Sequence, residues 1–325
     1  MISLQNIRDQ NNAVKYLSSS LLSDRIANSY LFSGPDGVGR TLTAKAFISA
    51  LMCRNKTDKS ISCGECFTCS RINTLEHPDL TWIKPEKHKA VKIDQIRQVK
   101  DVLNLKPYEA PVSVCVIEDA HLMTVASANA LLKILEEPPR DALLILISSK
   151  KELLPETVIS RCCEVRFGAL RVGTVKDIIM EKDSTISEGD AYFVACFSQG
   201  SPGRALEMIG EDLAKRKKDV FKMLDMIAEE KYSNCLNWIS EDKNSIMEDV
   251  EMLIMSFRDM AMCKEGLDSL ALDVGIKDTG MYRLFDKQGI DKIYSTVEKL
   301  ISVKRALKGN VNAKIVAQIL PGMLK

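Results

Sequence analysis

Four of the ten cysteines lie in one short segment of the chain, at Cys53, Cys63, Cys66 and Cys69. Four thiolates from one segment can close a tetrahedral all-sulfur site around zinc. Because no coordination position is left open, the pattern predicts a structural zinc ion rather than a catalytic one. Binding of another metal and a redox dithiol are the alternatives. His77 lies close downstream, and we interpret it as a loop residue before Pro78 rather than as a ligand.

A glycine-rich loop is the second candidate for chemistry. It follows an apolar segment, opens a helical pattern and contains Gly34, Gly37, Gly39, Arg40 and Thr41. Glycines let backbone N–H groups converge on a phosphate, and a helix N-terminus adds partial positive charge. A lysine normally stands where Arg40 stands, whereas a guanidinium is a wider planar fork. The loop therefore predicts a structural remnant or nucleotide binding without turnover, and ATP hydrolysis is the less favoured interpretation.

Two carboxylates, Glu118 and Asp119, follow a later apolar segment. ATPases with this type of loop place an Asp on Mg²⁺ and then a Glu beside the attacking water. Here the order is reversed. Because an Asp side chain is one methylene shorter, Asp119 would sit back from the water that a Glu polarises. The pair predicts either a residual metal role or two acids that cap the end of a strand.

Arg161, within Ser160-Arg161-Cys162, is a further charged candidate. Its spacing relative to the other motifs carries no information about a reaction. Taken alone, this arginine is better explained by a surface salt bridge.

The elements that must position these residues alternate between strand and helix in the first half of the chain. Buried strands are predicted for the apolar segments at 29–33, 80–83, 112–117, 143–147 and 164–167. Runs that are apolar on both faces and alternate with helices are typical of a parallel sheet covered on both sides. We expect Asp9 and Asp94 to cap two of these helices.

The pattern becomes helical throughout after about residue 168. Long amphipathic stretches follow, and the last has its apolar residues at Val311, Ile315, Ile319 and Leu320. We therefore predict three domains. An α/β domain covers 1–167 and contains the cysteine module at about 53–69, a small helical domain covers 168–208, and a larger helical domain covers 209–325.

The composition excludes several classes of protein. Lys and Arg number 45 against 44 Asp and Glu, and the net charge of +1 excludes histone-like binding of nucleic acid by bulk charge. Hydrophobic and charged contents of 46% and 27% are typical of folded rather than disordered chains. No apolar run approaches the roughly 20 residues that span a bilayer, and no signal peptide is recognisable. We expect a cytoplasmic protein without membrane contact.

Together, these motifs resemble the clamp-loader subunits of bacterial DNA polymerase III, which are AAA+ proteins. The likeness is dense in the first half of the chain, where His77-Pro78-Asp79, the stretch 129–139 and Ser160-Arg161-Cys162 add to the loop and the cysteines. In the second half it rests on the helical layout and on the stretch 200–206. The resemblance implies an α/β AAA+ fold, with a RecA-like parallel sheet and helices on both faces. A small helical lid domain and an all-α C-terminal collar domain would follow.

The family contains an ATP-hydrolysing motor of the gamma/tau type and a related stator of the delta-prime type, usually defective as an ATPase. Arg40 and the Glu118-Asp119 order make this chain resemble the stator. The motor also carries a sensor arginine in a Gly-Ser-x-Arg motif, whereas here Gly203 takes that slot and Arg204 comes one place late. We further expect no long tail of the tau type.

The resemblance changes the interpretation of Arg161. In this family the arginine reaches across to the ATP of a neighbouring subunit, so it implies an arginine finger supplied in trans. Structural zinc on the four cysteines is retained, and ATP with Mg²⁺ is expected to be absent or bound without hydrolysis. Ser149 matches the family's polar sensor position.

The implied assembly is a five-subunit arc joined through the collar domains. The implied partners are gamma/tau-type and delta-type subunits and, indirectly, the sliding clamp and primer–template DNA. Basic residues that could contact DNA phosphates are Lys100, Lys106 and the tract 215–218, although a solvated helix face also explains such a tract.

The leading hypothesis is a scaffold that is not catalytic by itself but belongs to a DNA-polymerising, nucleotidyl-transferring complex. A gamma/tau-type ATPase motor is the main alternative. A stand-alone AAA+ protein that remodels nucleic acids is a third interpretation.

Overall fold

A computed structural model describes residues 3–56, 58–85, 90–210, 213–229, 243–309 and 311–324. The chain divides into two compact units. The first comprises Met1–Ile179 with Ser198–Arg204, and the second comprises Met180–Phe197 with Ala205–Lys325. The three-domain division at residues 167 and 208 stays a prediction.

The first unit is built on a parallel sheet, with five strands among the described residues. The strands are β1 (Ser29–Ser33), β2 (Leu80–Ile83), β3 (Ser113–Ile117), β4 (Ala142–Ser148) and β5 (Cys163–Arg166). Their order across the sheet is β2-β3-β4-β1-β5, and every neighbouring pair is parallel. The predicted segments 29–33 and 80–83 match their strands. Strand β3 is one residue shorter than predicted, β4 is one residue longer at each end, and β5 is shifted by one residue.

Helices connect the strands, as a parallel sheet requires. In the described part of the first unit they are α1 (Asn11–Leu22), α2 (Arg40–Met52), α3 (Phe67–Thr74), α4 (Ile93–Leu103), α5 (Val125–Glu136), α6 (Glu156–Ile159) and the start of α7 (Val172–Lys182). The predicted α/β class with a covered parallel sheet is confirmed. Strand β4 shows why, since all seven of its residues are buried.

The two predicted helix caps are wrong. Helix α4 begins at Ile93 with Lys92 as its N-cap, so Asp94 lies inside the first turn. Helix α1 has Gln10 as its N-cap. Asp9 instead binds Arg171, with 2.6 Å between Oδ1 and Nη2, and this bond lowers the pKa of Asp9 to about 2. A long-range ion pair has displaced the local capping role.

The second unit is helical throughout its described residues. Its helices are the end of α7, α8 (Glu188–Phe197), α9 (Pro202–Gly210), α10 (Leu213–Ala228), α11 (Lys243–Lys264), α12 (Gly280–Gln288), α13 (Ile290–Lys308) and α14 (Ala313–Met323); α9 begins in the first unit. Among the described helices, none is both long enough and apolar enough to cross a membrane.

Only one of the four apolar residues predicted for the last amphipathic stretch is buried. Ile315 and Ile319 are 54% and 46% exposed, and Val311 just before the helix is 42% exposed. Leu320 is buried, together with Val316. The second unit therefore carries an exposed apolar stripe at four-residue spacing.

Candidate nucleotide and metal sites

The carboxyl ends of three neighbouring strands bring the predicted nucleotide-site residues to one edge of the sheet. Ser33 pairs with Ser148, and Ile117 pairs with Leu146, so β1, β3 and β4 end close together. The loop beginning at Gly34, the pair Glu118-Asp119 and Ser149 follow these ends directly. This edge is where open parallel sheets bind ligands.

The glycine-rich loop has the backbone of a phosphate loop. Gly37 and Gly39 have φ angles of 70° and 99°, a region that residues with a Cβ rarely adopt. Gly39 precedes the first turn of α2. A pocket of about 340 Å³ opens here and is lined by Gly37, Gly39, Arg40, Thr41, Leu42 and Lys45.

The loop is covered on one side by the segment around Gly203. The Gly203 N–H donates to the Gly37 carbonyl oxygen at 2.9 Å. A Cβ on Gly203 would lie 2.8 Å from the Gly37 Cα, so no larger residue fits without movement. This contact therefore favours glycine at position 203.

Arg40 turns into the protein rather than outward. Its side chain is 6% exposed, and Nη2 donates to Asp36 Oδ1 at 2.6 Å. Nη1 is buried and finds no acceptor among the described residues. Nη1 is thus an unused donor atom beside the N-terminus of α2.

Glu118 is engaged by three groups. The Thr41 hydroxyl donates to Oε1 at 2.9 Å. The Trp82 indole donates to Oε2 at 3.3 Å, and Lys84 Nζ lies 3.7 Å from the same oxygen. In proteins with a phosphate loop, a Ser or Thr of the loop and an Asp after a strand hold Mg²⁺, and Thr41 and Glu118 stand in comparable places. In this chain they are bonded to each other.

Asp119 does not share the environment of Glu118. Its backbone is left-handed, at φ 48°, and it precedes a 3-10 turn at Ala120–Leu122. Its carbonyl accepts from the Leu122 N–H at 2.8 Å. This turn directs the chain away from the strand, and it fits the interpretation of an acid at a strand end.

Sequence reasoning missed His121 and Trp82 as members of this site. Nδ1 of His121 lies 3.4 Å from the Ser148 hydroxyl, which is fully buried at the end of β4. Burial lowers the pKa of His121 and is opposed chiefly by Asp119. Only the strand order could have revealed these residues, because Trp82 lies in β2 and His121 lies in the turn after β3. Ser149 follows β4 but is outside this contact, and its sensor role stays a prediction.

The four predicted zinc ligands converge. All four Sγ atoms lie within 4.8 Å of one another. Cys53 Sγ is 3.5 Å from Cys63 Sγ and 3.9 Å from Cys66 Sγ, and Cys63 Sγ is 4.0 Å from Cys69 Sγ. Thiolates bound tetrahedrally to zinc at about 2.3 Å lie about 3.8 Å apart, so the separations fit this ion.

Two helices and a turn hold this cysteine module together. Cys53 caps the C-terminus of α2, and Cys66 and Cys69 lie at the start of α3. Backbone N–H groups of Glu65 and Cys66 lower the pKa of the Cys63 thiol to about 6, which favours the thiolate that a metal binds.

His77 and Asp79 support the loop beside the module and lie outside the sulfur cluster. The Asp79 N–H donates to His77 Nδ1 at 3.2 Å, and His77 Nε2 lies 3.4 Å from Glu109 Oε1. The Asp79 carboxylate accepts from the N–H groups of Tyr108, Glu109 and Ala110 at 2.6, 2.9 and 2.8 Å. The interpretation of His77 as a loop residue agrees with this placement.

Arg161 lies apart from the phosphate loop, just after α6. Its side chain is 38% exposed. Nη2 lies 2.9 Å from Glu136 Oε1 in a salt bridge, and Nη1 donates to the Thr157 carbonyl at 3.0 Å. The surface salt bridge expected from spacing alone is therefore present, and the guanidinium is accessible.

The basic tract is largely engaged within the second unit. Arg216 binds Asp249 and Glu248, each at 2.8 Å, and Lys217 contacts Asp273. The Lys215 side chain lies outside the described part of the chain. Elsewhere, Lys100 on α4 lines a surface pocket of about 310 Å³, and Lys106 is exposed. DNA contact by these residues stays a prediction.

The sheet order, the loop after β1 and the acidic pair after β3 define an AAA+ protein. Residues 9–171 match the family described as "DNA polymerase III, delta subunit". The chain is 26% identical to "DNA polymerase III subunit delta'" of Bacillus subtilis, over 97% of this chain and 96% of that protein. It is also 26% identical to the subunit tau of the same organism, over 91% of this chain and 54% of tau. It thus spans about half of that relative's length.

A solved structure from Thermotoga maritima, described as a DNA polymerase III gamma subunit-related protein, is 20% identical over 97% of each chain, with a TM-score of 0.45. Because the family model covers half of the chain, the chain belongs to the DNA polymerase III clamp-loader subunits.

Proposed function

We propose that this chain is a delta-prime-type stator, largely defective as an ATPase, which supplies Arg161 to the nucleotide of a neighbouring motor subunit. The observation that carries the proposal is the environment of Glu118. Its carboxylate oxygens are bonded to Thr41 and Trp82 and lie beside Lys84. The Lys84 ammonium, 3.7 Å from Oε2, places a positive charge at this carboxylate and so disfavours a Mg²⁺ ion there.

The surrounding loop supports the same conclusion. Arg40 is buried against Asp36, and Gly203 stands in the slot where a motor carries an arginine. What the loop retains is an anion-binding character, from the N-terminus of α2 and the unused Nη1 donor of Arg40. These features fit a nucleotide phosphate that is bound without hydrolysis.

Arg161 supports the trans role through its accessibility. It lies at the end of a one-turn helix, with its guanidinium partly exposed. An arginine supplied in trans stabilises charge on the transferring phosphoryl group and is worth roughly 10³–10⁵ in rate. The reaction would belong to the neighbour, so this chain needs no hydrolytic apparatus of its own.

The partners of such a stator are gamma/tau-type and delta-type subunits, with the sliding clamp and primer–template DNA met through the assembly. The exposed stripe of Val311, Ile315 and Ile319 supports assembly through the C-terminal helices, because a contiguous apolar surface is unusual without a partner. Structural zinc on the four cysteines would fix α3 to the end of α2.

The test compares turnover in isolation and in a complex reconstituted with a gamma/tau-type motor and a delta-type subunit. We expect the purified chain to hydrolyse almost no ATP. In the complex, Arg161→Ala should lower ATP turnover at the site it faces without weakening assembly. Arg97→Ala is the matched control, because Arg97 is an exposed arginine paired only locally with Asp94 among the described residues.

Two outcomes would contradict the proposal. Turnover of the complex unaffected by Arg161→Ala would remove the finger role. Vigorous hydrolysis by the isolated chain, abolished by Thr41→Ala, would favour the motor alternative.

A further inference from the structure

Glu136 forms a salt bridge with the guanidinium of Arg161. Its Oε1 lies 2.9 Å from Nη2, while the Thr157 carbonyl accepts a hydrogen bond from Nη1 at 3.0 Å. Among described residues, these partners come from two different elements, the last residue of α5 and the middle of α6. The guanidinium is therefore fixed at two points.

Both elements are anchored in one hydrophobic core. Leu131, Ile134 and Leu135 of α5 share a buried cluster with Val158 of α6. Helix α5 ends at Glu136, shortly before Pro138, which cannot continue a helix. Glu136 consequently sits on a rigid support rather than on a loop.

The backbone of Arg161 is also tied down. The Ser29 hydroxyl, at the start of β1, donates to the Arg161 carbonyl at 2.7 Å. With its backbone bonded to the sheet, the remaining freedom of Arg161 lies in its long side chain. That freedom is what the carboxylate of Glu136 restricts.

The geometry leaves donors of the Arg161 guanidinium available for a phosphate. A guanidinium has five N–H donors in one plane; the Thr157 carbonyl accepts from one on Nη1, and Glu136 pairs with Nη2 through its charge. Because the Glu136 side chain is 50% exposed and that of Arg161 38% exposed, the pair lies in a wet environment and its rupture costs little. Glu136 can therefore orient the guanidinium of Arg161 and still leave it accessible to a phosphate.

From this arrangement we propose that Glu136 is a positioning residue, which orients Arg161 toward the nucleotide of the adjoining subunit. The inference rests on the proposed trans role of Arg161. It adds that the finger is pre-oriented within its own chain, so that less side-chain entropy is lost when the finger engages phosphate.

The experiment is a double-mutant cycle in the reconstituted complex. Glu136→Ala should lower kcat about five-fold, the rate equivalent of about 1 kcal/mol, and leave the KM for ATP unchanged. Glu136→Gln keeps the side-chain size but removes the negative charge, so it should lower kcat to a similar extent. The Glu136→Ala/Arg161→Ala double variant should be no slower than Arg161→Ala alone. Glu137→Ala, the exposed neighbouring glutamate, is the matched control.

The outcomes separate the two proposals. If Arg161→Ala slows turnover and Glu136→Ala does not, or if their effects are independent, the positioning role is overturned and the finger stands. If Arg161→Ala has no effect, both are overturned. An unchanged thermal midpoint for each variant establishes that kcat reports orientation rather than folding.

Discussion

At the scale of single residues, Asp79 has the clearest energetic role. Its carboxylate accepts three backbone N–H groups of residues 108–110 and is buried. Burial raises the pKa of Asp79, but the three bonds together outweigh it and hold the pKa below its usual value. In Asp79→Asn, the amide nitrogen would face at least one of these donors. We expect the free energy of unfolding at pH 7 to fall by about 1–3 kcal/mol.

The pH dependence follows from the sign of this shift. A carboxyl group with a depressed folded-state pKa stabilises the fold above its unfolded pKa of about 3.9, and this contribution is lost as the pH falls further. The difference in free energy of unfolding between wild type and Asp79→Asn should therefore become smaller below about pH 4. Urea unfolding at a series of pH values from about 7 to below 4 measures this difference. Asp101→Asn is the control, because Asp101 is exposed. An equal loss of unfolding free energy in Asp79→Asn and Asp101→Asn would contradict the stabilising role of the Asp79 carboxylate.

At the scale of elements, the cysteine module joins the end of α2 to the start of α3. We expect about one equivalent of zinc per chain. Cys66→Ser removes one of four ligands, so it should release most of the zinc and lower the thermal midpoint by several degrees. Metal analysis and thermal unfolding measure both effects. The exposed Cys163→Ser is the matched control, and a metal-free native protein would refute the site.

The elements also show what the sequence could predict. Strands such as β1 and β4 were recognisable because both of their faces are buried, which requires a continuous apolar run. The convergence of the four cysteines was predictable for a different reason: they lie within one short segment, and the length of chain between them limits how far apart they can lie. The partners of Arg40, Glu118 and Arg161 were not predictable, because each lies on another part of the fold. The buried face of helix α14 was not predictable, because Ile315 and Ile319 are apolar yet exposed.

At the scale of the whole molecule, that exposed stripe predicts how the chain assembles. Ile315→Lys should leave the free chain as stable as wild type, because Ile315 is already 54% exposed. It should abolish co-elution with the gamma/tau-type and delta-type subunits, because a charge would be buried without a partner. Gln318→Lys adds the same charge at an exposed position of the same helix and should not prevent assembly. Normal co-elution of Ile315→Lys would exclude the stripe as an interface.

The contact between Gly203 and Gly37 has a consequence for biosynthesis. The chain leaves the first unit after Ile179 and returns for Ser198–Arg204 before leaving again. A nascent polypeptide that has emerged only as far as residue 179 still lacks the segment Ser198–Arg204, which covers the glycine-rich loop. We therefore expect the N-terminal half to mature on the ribosome only after about 25 further codons have been translated and the emerging peptide has cleared the exit tunnel.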